Sequence, residues 1–230
     1  MSARTLPGNP EISVKLRKNR RARRITLRVS QLDGVVTLTV PHGVSEGEAM
    51  RFAAEKQDWI ETCLSQHEKS AQVAPGMSIT VAGQPVDLVR GTGKRLQVAG
   101  ATIAMPDIAD HGRKQLQVWL KEQARVELTR ASDLYAARLG RAYSRLTLRD
   151  TRSRWGSCSS AGALMYSWRL ILAPKPVLDY VAAHEVAHLE EMNHSPAFWA
   201  IVNDLYGPHR EARGWLRSHG ASLHRYRFDG

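Results

Sequence analysis

The stretch that most restricts what this chain can become is His184-Glu185-Val186-Ala187-His188, with a further histidine, His194, six residues on. Residues four apart share one face of an α-helix, so a helix through this stretch presents the His184 and His188 imidazoles side by side. That geometry suits one metal ion. Zinc in a hydrolytic site takes three protein ligands and keeps one position open for water, and His194 is the expected third ligand. It must come from beyond the end of the helix, so the chain has to turn back there. Asn193 is expected to tolerate the left-handed turn, and Ser195-Pro196 reads as the cap and first position of a new helix. Glu185, next to the first ligand, is placed to take the proton of a metal-bound water. Small Ala182, Ala183 and Ala187 permit close packing around the run, which separates it from a chance pair of surface histidines.

Such a helix needs a core around it, and 230 residues with 43% hydrophobic content are enough to build one or two domains. The formal net charge of +11 predicts attraction to anions, whether nucleic acid, nucleotides or acidic protein surfaces. Cys63 and Cys158 lie far apart and form no C-x-x-C pattern, so neither a disulfide framework nor a thiolate zinc site is indicated. The first residues, MSARTLPGNP, contain no apolar signal core, and no run is long enough to cross a bilayer. A cytoplasmic location is expected, and a membrane-embedded or secreted digestive enzyme is not.

In chain order, residues 1–11 read as a loose start, with Pro7, Gly8 and Pro10. Lys15, Arg17, Lys18, Arg20, Arg21, Arg23 and Arg24 follow. Ile25, Leu27 and Val29 alternate with polar residues, as do Val36, Leu38 and Val40 beyond Asp33-Gly34, which predicts a β-hairpin with a D-G turn. Ser45 with Glu48 forms a capping box for a helix to about Gln66, with Phe52, Trp59, Ile60 and Leu64 inward. Short apolar runs between Met77 and Met105 read as a meander of antiparallel strands. From Gly112 the spacing of Leu116, Trp119, Leu120, Ala124, Val126, Leu128, Ala131, Leu134, Tyr135 and Leu139 predicts a long helix to Gly140. These readings give an α+β chain with a β-rich amino-terminal region at 1–111 and a metal-binding domain at 112–230. Within the second part, two strands within SRLTLRDT and ALMYSWRL, joined by a Ser/Gly turn, precede the motif helix, which starts near Pro174–Pro176. Phe198, Trp199 and Val202 are expected to face the core from the helix after His194. A last helix starts at Pro208, contains Trp215 and Leu216, and ends at Gly220.

The runs RWGSCSSAGALMYSWRLILAP and LDYVAAHEVAHLEEMNHSPAFW closely resemble the YgjP-like family of zinc metallohydrolases, related to the SprT-like and WSS-like metallopeptidases. RRARRITLRV and VPHGVS nearer the start extend the likeness over most of the chain. The resemblance implies a zincin-like catalytic domain, with a small antiparallel sheet beside the H-E-x-x-H helix. It also implies zinc held by His184, His188 and His194, and Glu185 as general base. Metzincin peptidases have Gly three places after the second histidine, where this chain has Glu191, so that label does not transfer.

Several function classes remain open at this point. The first is a zinc-dependent metallopeptidase acting on a polypeptide, with the strand at Met165–Trp168 pairing with an extended substrate by edge addition. The second is a zinc-dependent pyrophosphohydrolase of a nucleotide such as UTP; with no P-loop, its phosphate grip would rest on Arg and Lys. The third is a DNA-associated protein with structural zinc, which requires a fourth protein ligand. Tyr166, Arg154 and His209 are candidates for the oxyanion donor. Trp155, Trp168, Trp199 and Trp215 are expected in the core, base stacking being the alternative. The basic segment 15–28 reads as a solvated edge strand, a nucleic-acid contact or a guide for a polyanionic nucleotide.

Overall fold

Ile12, Val14 and Leu16 are buried while Ser13, Lys15 and Arg17 are exposed, and this period of two makes a strand that begins at Asn9, inside the residues 1–11 expected as a loose start. The structure, a computed structural model, describes residues 2–30, 33–65, 70–106 and 109–228. Strand β1 (Ser2–Leu6) turns at Gly8, whose φ of 92° favours glycine, into β2 (Asn9–Asn19). β3 (Thr26–Val29) and β4 (Val36–Pro41) form the expected hairpin, with Leu27 opposite Leu38 and Val29 opposite Val36. Gly34 of its D-G turn has a φ of 67°, and Gln31 and Leu32 lie outside the described residues.

The sheet order is β1-β2-β4-β3, with β2 and β4 parallel. β2 is therefore an interior strand, and Lys15 and Arg17 are not the margin of an edge as the sequence suggested. They stand on the solvent face, where Lys15, Thr37 and Arg28 are register partners across three strands. The helix expected to reach Gln66 is two, α1 (Glu46–Glu55) and α2 (Gln57–Ser65). The Ser45 hydroxyl accepts the Glu48 N–H at 3.2 Å, a cap that contributes about 1 kcal/mol. Ile60 is buried as expected, but Trp59 is 48% exposed, because the interruption at Lys56 resets which face of the second helix meets the sheet.

The chain divides into two compact units, Met1–Ser70 and Ala71–Gly230, so the division falls near residue 70 and not near 111. The second unit begins with β5 (Ala71–Gln72) and a sheet of β6 (Ser78–Val81), β7 (Gln84–Gly91), β8 (Gln97–Ala99) and β9 (Thr102–Pro106). Next comes α3 (Ala109–Leu139), whose Leu116, Leu120 and Leu128 share one core with Ile79, Leu88, Ile103 and Met105 of the sheet. That shared core is why the strands belong with the helix. The sheet order is β6-β7-β9-β8, and β7 runs parallel to β9, so the expected antiparallel meander is corrected. β9 takes the inner place because it carries Ile103 and Met105, whereas every residue of β8 is exposed.

β10 (Arg145–Arg149), β11 (Gly156–Cys158) and β12 (Ala163–Ser167) form a mixed sheet in the order β10-β12-β11. β12 is parallel to β10 and antiparallel to β11, so this sheet is not wholly antiparallel. The Ser/Gly connection read as a turn holds β11. After a 3-10 turn at Trp168–Leu172 come α4 (Lys175–Ala187), α5 (Pro196–Tyr206), α6 (Arg210–His219) and β13 (Tyr226–Arg227), which pairs with β5. Arg169 ties these parts together. Its guanidinium holds both Asp150 carboxylate oxygens at 2.7 and 3.1 Å and donates to the carbonyls of Leu223 and Tyr226. The fold is thus α+β, with several small sheets and six helices among the described residues. No helix among them is long and apolar enough to cross a membrane.

Candidate metal centre and active site

Val177, Tyr180, Val181, Ala182, Ala183 and Val186 are all buried, so α4 is enclosed on most of its circumference. Pro176 suits its first turn, where its missing N–H costs nothing. His184 and Glu185 lie in the last turn, and His188 is the residue that ends the helix. The N–H groups of Leu189, Glu190 and Glu191 then bond back to the carbonyls of Val186 and Ala187, which turns the chain. Asn193 supports the return through its side chain, not through left-handed backbone: its Oδ1 accepts the Ser195 N–H at 2.8 Å and its Nδ2 donates to Glu191. Ser195 accepts the Phe198 N–H and, with Pro196 next, starts α5 as expected.

This path brings His184, His188 and His194 together, with one nitrogen of each within 4.8 Å of the others. His184 Nε2 and His194 Nε2 are 3.1 Å apart. A tetrahedral ion with bonds of about 2.0–2.1 Å sets its donors about 3.3 Å apart, so this spacing fits a metal between them. His188 donates its Nδ1–H to the Glu191 carbonyl at 2.9 Å, which leaves its Nε2 lone pair for a metal. Burial first, and then the charges of His188 and His194, bring the His184 pKa down to about 3. Burial also lowers His188. Both imidazoles are therefore neutral at neutral pH, the form in which histidine ligates. Beneath them lies Phe198, fully buried, its ring centroid 4.4–4.9 Å from those of all three imidazoles. This floor contributes about 2–3 kcal/mol of apolar burial and holds the rings in place.

Glu185 faces another neighbour. A Cβ added to Gly156 would meet its Cγ at 2.5 Å, so the carboxylate arm lies against the bare backbone of β11. Burial pushes the Glu185 carboxyl up to about 8, and Arg154 pulls it the other way. β11 ends its sheet, whereas β12 has neighbours on both sides. Edge addition at Met165–Trp168 is thus ruled out, and Trp168 itself lies in the buried 3-10 turn. Ser167 N–H donates to the Trp155 carbonyl and Ser159 N–H to that of Ala163, so the alternate residues Gly156 and Cys158 turn their amides to the free edge. Gly156 carried little signal in the sequence beyond being a glycine between strand candidates.

Of the three oxyanion candidates, Tyr166 is removed. It is fully buried and its hydroxyl is 3.0 Å from Ser132 Oγ in the core. Arg154 is exposed and acts on Glu185 by charge. His209 is stacked between Tyr180 and Trp199, with Arg213 over the Trp199 ring and its own Nδ1 buried without a partner. Sequence reasoning passed over Arg213, although its spacing of four from His209 was visible. Trp168 is in the core, and Trp155, Trp199 and Trp215 are packed against it, half-buried. Cys158 is no ligand: its thiol, pushed up to about 11 by burial and then by Glu185, donates to the Ser159 carbonyl.

A family model described as YgjP-like, metallopeptidase domain, matches residues 23–219. Among solved structures, the crystal structure of the metallopeptidase zymogen of Pyrococcus abyssi abylysin is similar, with 20% identity and a TM-score of 0.35. That match covers 45% of this chain and 97% of the other. No curated protein matches the chain.

Proposed function

The chain belongs to the YgjP-like metallopeptidase family, and we propose that it is a zinc-dependent metallopeptidase with His184, His188 and His194 as ligands and Glu185 as general base. The observation that carries this reading is the meeting of three imidazoles, His184 and His188 from the end of α4 and His194 from the turn beyond it, with Glu185 of the same helix against a free sheet edge. An all-imidazole donor set suits zinc among the available divalent ions. Zinc, when bound, supplies a Lewis acid that makes a water acidic enough to lose its proton near neutrality. Glu185 accepts that proton and passes it to the leaving amine. Its burial keeps water away and makes its anion a stronger base than an exposed carboxylate. The outward amides of Gly156 and Cys158 hold an extended substrate by backbone pairing, and Arg154 or His209 is the group that meets the oxyanion.

The test is the protein loaded with zinc and offered unstructured polypeptides beside a panel of nucleoside triphosphates that includes UTP. Peptide cleavage that stops on chelation and returns with zinc is expected. Pyrophosphate release from a nucleotide with all polypeptides intact would replace the peptidase with a phosphoanhydride hydrolase. A structural zinc would need a fourth protein donor, and the group that converges here consists of three imidazoles.

In the first unit, the exposed Lys15, Arg17 and Arg28 face suits phosphate contacts that recruit nucleic acid. Duplex DNA binding is expected to fall steeply with salt and to weaken on Lys15→Glu with Arg28→Glu. Affinity that is flat across a salt titration removes this role.

A further inference from the structure

A stack of side chains stands beside the three imidazoles. The His209 ring lies nearly parallel to those of Tyr180 and Trp199, with centroids 5.8 and 5.1 Å away, and the Arg213 guanidinium lies 4.7 Å from the centre of the Trp199 ring. His209 immediately precedes α6 and Arg213 is four residues on, so the two stand on one side of that helix. The stack reaches the expected metal ligands directly. Tyr180 is 5.9 Å from His184, and Trp199 is 5.7 Å from His184 and 5.8 Å from His194, all between ring centroids. A single indole thus joins Arg213 to two of the three imidazoles.

The setting of Arg213 is unlike that of other arginines in this unit, where Arg130 pairs with Glu127 and Asp179, Arg141 with Glu190, and Arg169 with Asp150. Among the described residues, no carboxylate pairs with Arg213 and no acceptor takes its N–H groups. The contact with Trp199 holds the side chain through the ring face and leaves those donors available. A side chain held in advance loses less freedom when a ligand arrives. Imidazole ligands bring no negative charge to offset a divalent ion, so a further cation beside them is unfavourable until an anion joins it. Glu185 does not serve, because its arm lies against Gly156 of β11. In a polypeptide substrate the anion is a carboxylate, whose two oxygens match the planar fork of a guanidinium. An extended chain rises about 3.3 Å per residue, so the place of Arg213, one ring beyond the imidazoles, corresponds to about two or three residues from the bond being cleaved.

We propose that Arg213 sets specificity by receiving a carboxylate of the substrate near the scissile bond, either the free end of the chain or an Asp or Glu side chain. The inference rests on the peptidase reading, and it is tested by binding. Full-length, zinc-loaded Glu185→Gln protein is titrated with short fluorescent peptides. One is neutral with an amidated end, one has a free carboxyl end, and a set carries a single Asp moved along the amidated chain. A carboxylate at the free end or at one Asp position is expected to tighten binding about tenfold or more over the neutral peptide. That ratio moves towards one in Arg213→Gln and is kept in part by Arg213→Lys, which retains the charge without the fork. Arg125→Gln on the exposed face of α3 leaves it unchanged. A gain confined to the free end, or to an internal Asp, supports the proposal and names the source of the carboxylate. Equal affinity across the set overturns it. So does a preference that Arg213→Gln retains, with charged and neutral peptides weakened alike, which would make Arg213 a support for Trp199 alone. Wild-type cleavage with no carboxylate preference overturns this role and leaves the peptidase. A preference lost in Arg213→Gln, with no peptide cleaved by wild type, supports the subsite and counts against the peptidase.

Discussion

Glu185→Gln is expected to lower turnover by about 10²–10⁴-fold while the bound metal stays in place. The amide has nearly the same shape as the carboxyl and fits the same contact with Gly156, so neither fold nor ligand set changes. It cannot accept a proton. Metal content by absorption spectrometry and turnover on one substrate separate the two effects. Activity within a few fold of wild type would mean that another group takes the proton.

The same substitution has a signature in stability that needs no substrate. In the metal-free chain, burial raises the Glu185 pKa from its ordinary 4.5 to about 8, so the folded state holds a proton that the unfolded state has released. Stability from this group is complete below about 4.5 and falls as pH climbs towards 8. Gln does not ionise. The variant is expected to lose that part of the slope, and thermal melts of metal-free wild type and variant across this range read the difference. Parallel curves would place the carboxyl in a wetter setting than its burial implies.

Gly156→Ala carries the second large effect. Its Cβ would lie 2.5 Å from Glu185 Cγ and 2.6 Å from Oε1, closer than side chains tolerate. The backbone of β11 is held by its ladder to β12, whereas the Glu185 arm can rotate from Cγ outward, so Glu185 moves. A displacement near 1 Å costs about 10²-fold in a reaction that depends on position. Turnover is therefore expected to fall by about that factor, with KM changed less than kcat and the metal retained. Full activity in Gly156→Ala would show that Glu185 has room to work elsewhere, and that its contact with β11 does not set its place.

The local parts of this chain were open to reading from the sequence. His184 and His188 share a face because a helix repeats every 3.6 residues, and Ser195-Pro196 starts α5 because a hydroxyl and a missing N–H meet the needs of a helix end. The β3–β4 hairpin followed from alternation on either side of a D-G turn. Each depends on residues a few positions apart. Gly8 was visible too, but with Pro7 and Pro10 beside it residues 1–11 read as a loose start, where the structure has β1 and the beginning of β2.

What the tertiary structure decided is strand order and, with it, the neighbours of the site. Alternation shows which face of a strand is apolar but not which strand lies beside it, because hydrogen-bonding edges are alike along every strand. That β9 lies beside β7, that β12 is central, and that β11 is left at the edge against Glu185 follow from how residues far apart pack into one core. The sequence by itself determined the three imidazoles, the glutamate between two of them and the turn that returns the third. Only the packing of α4 against β11 decided that Gly156 bounds Glu185. Spacing along a helix is set by local backbone geometry; the partner across a sheet is set by the burial of distant side chains.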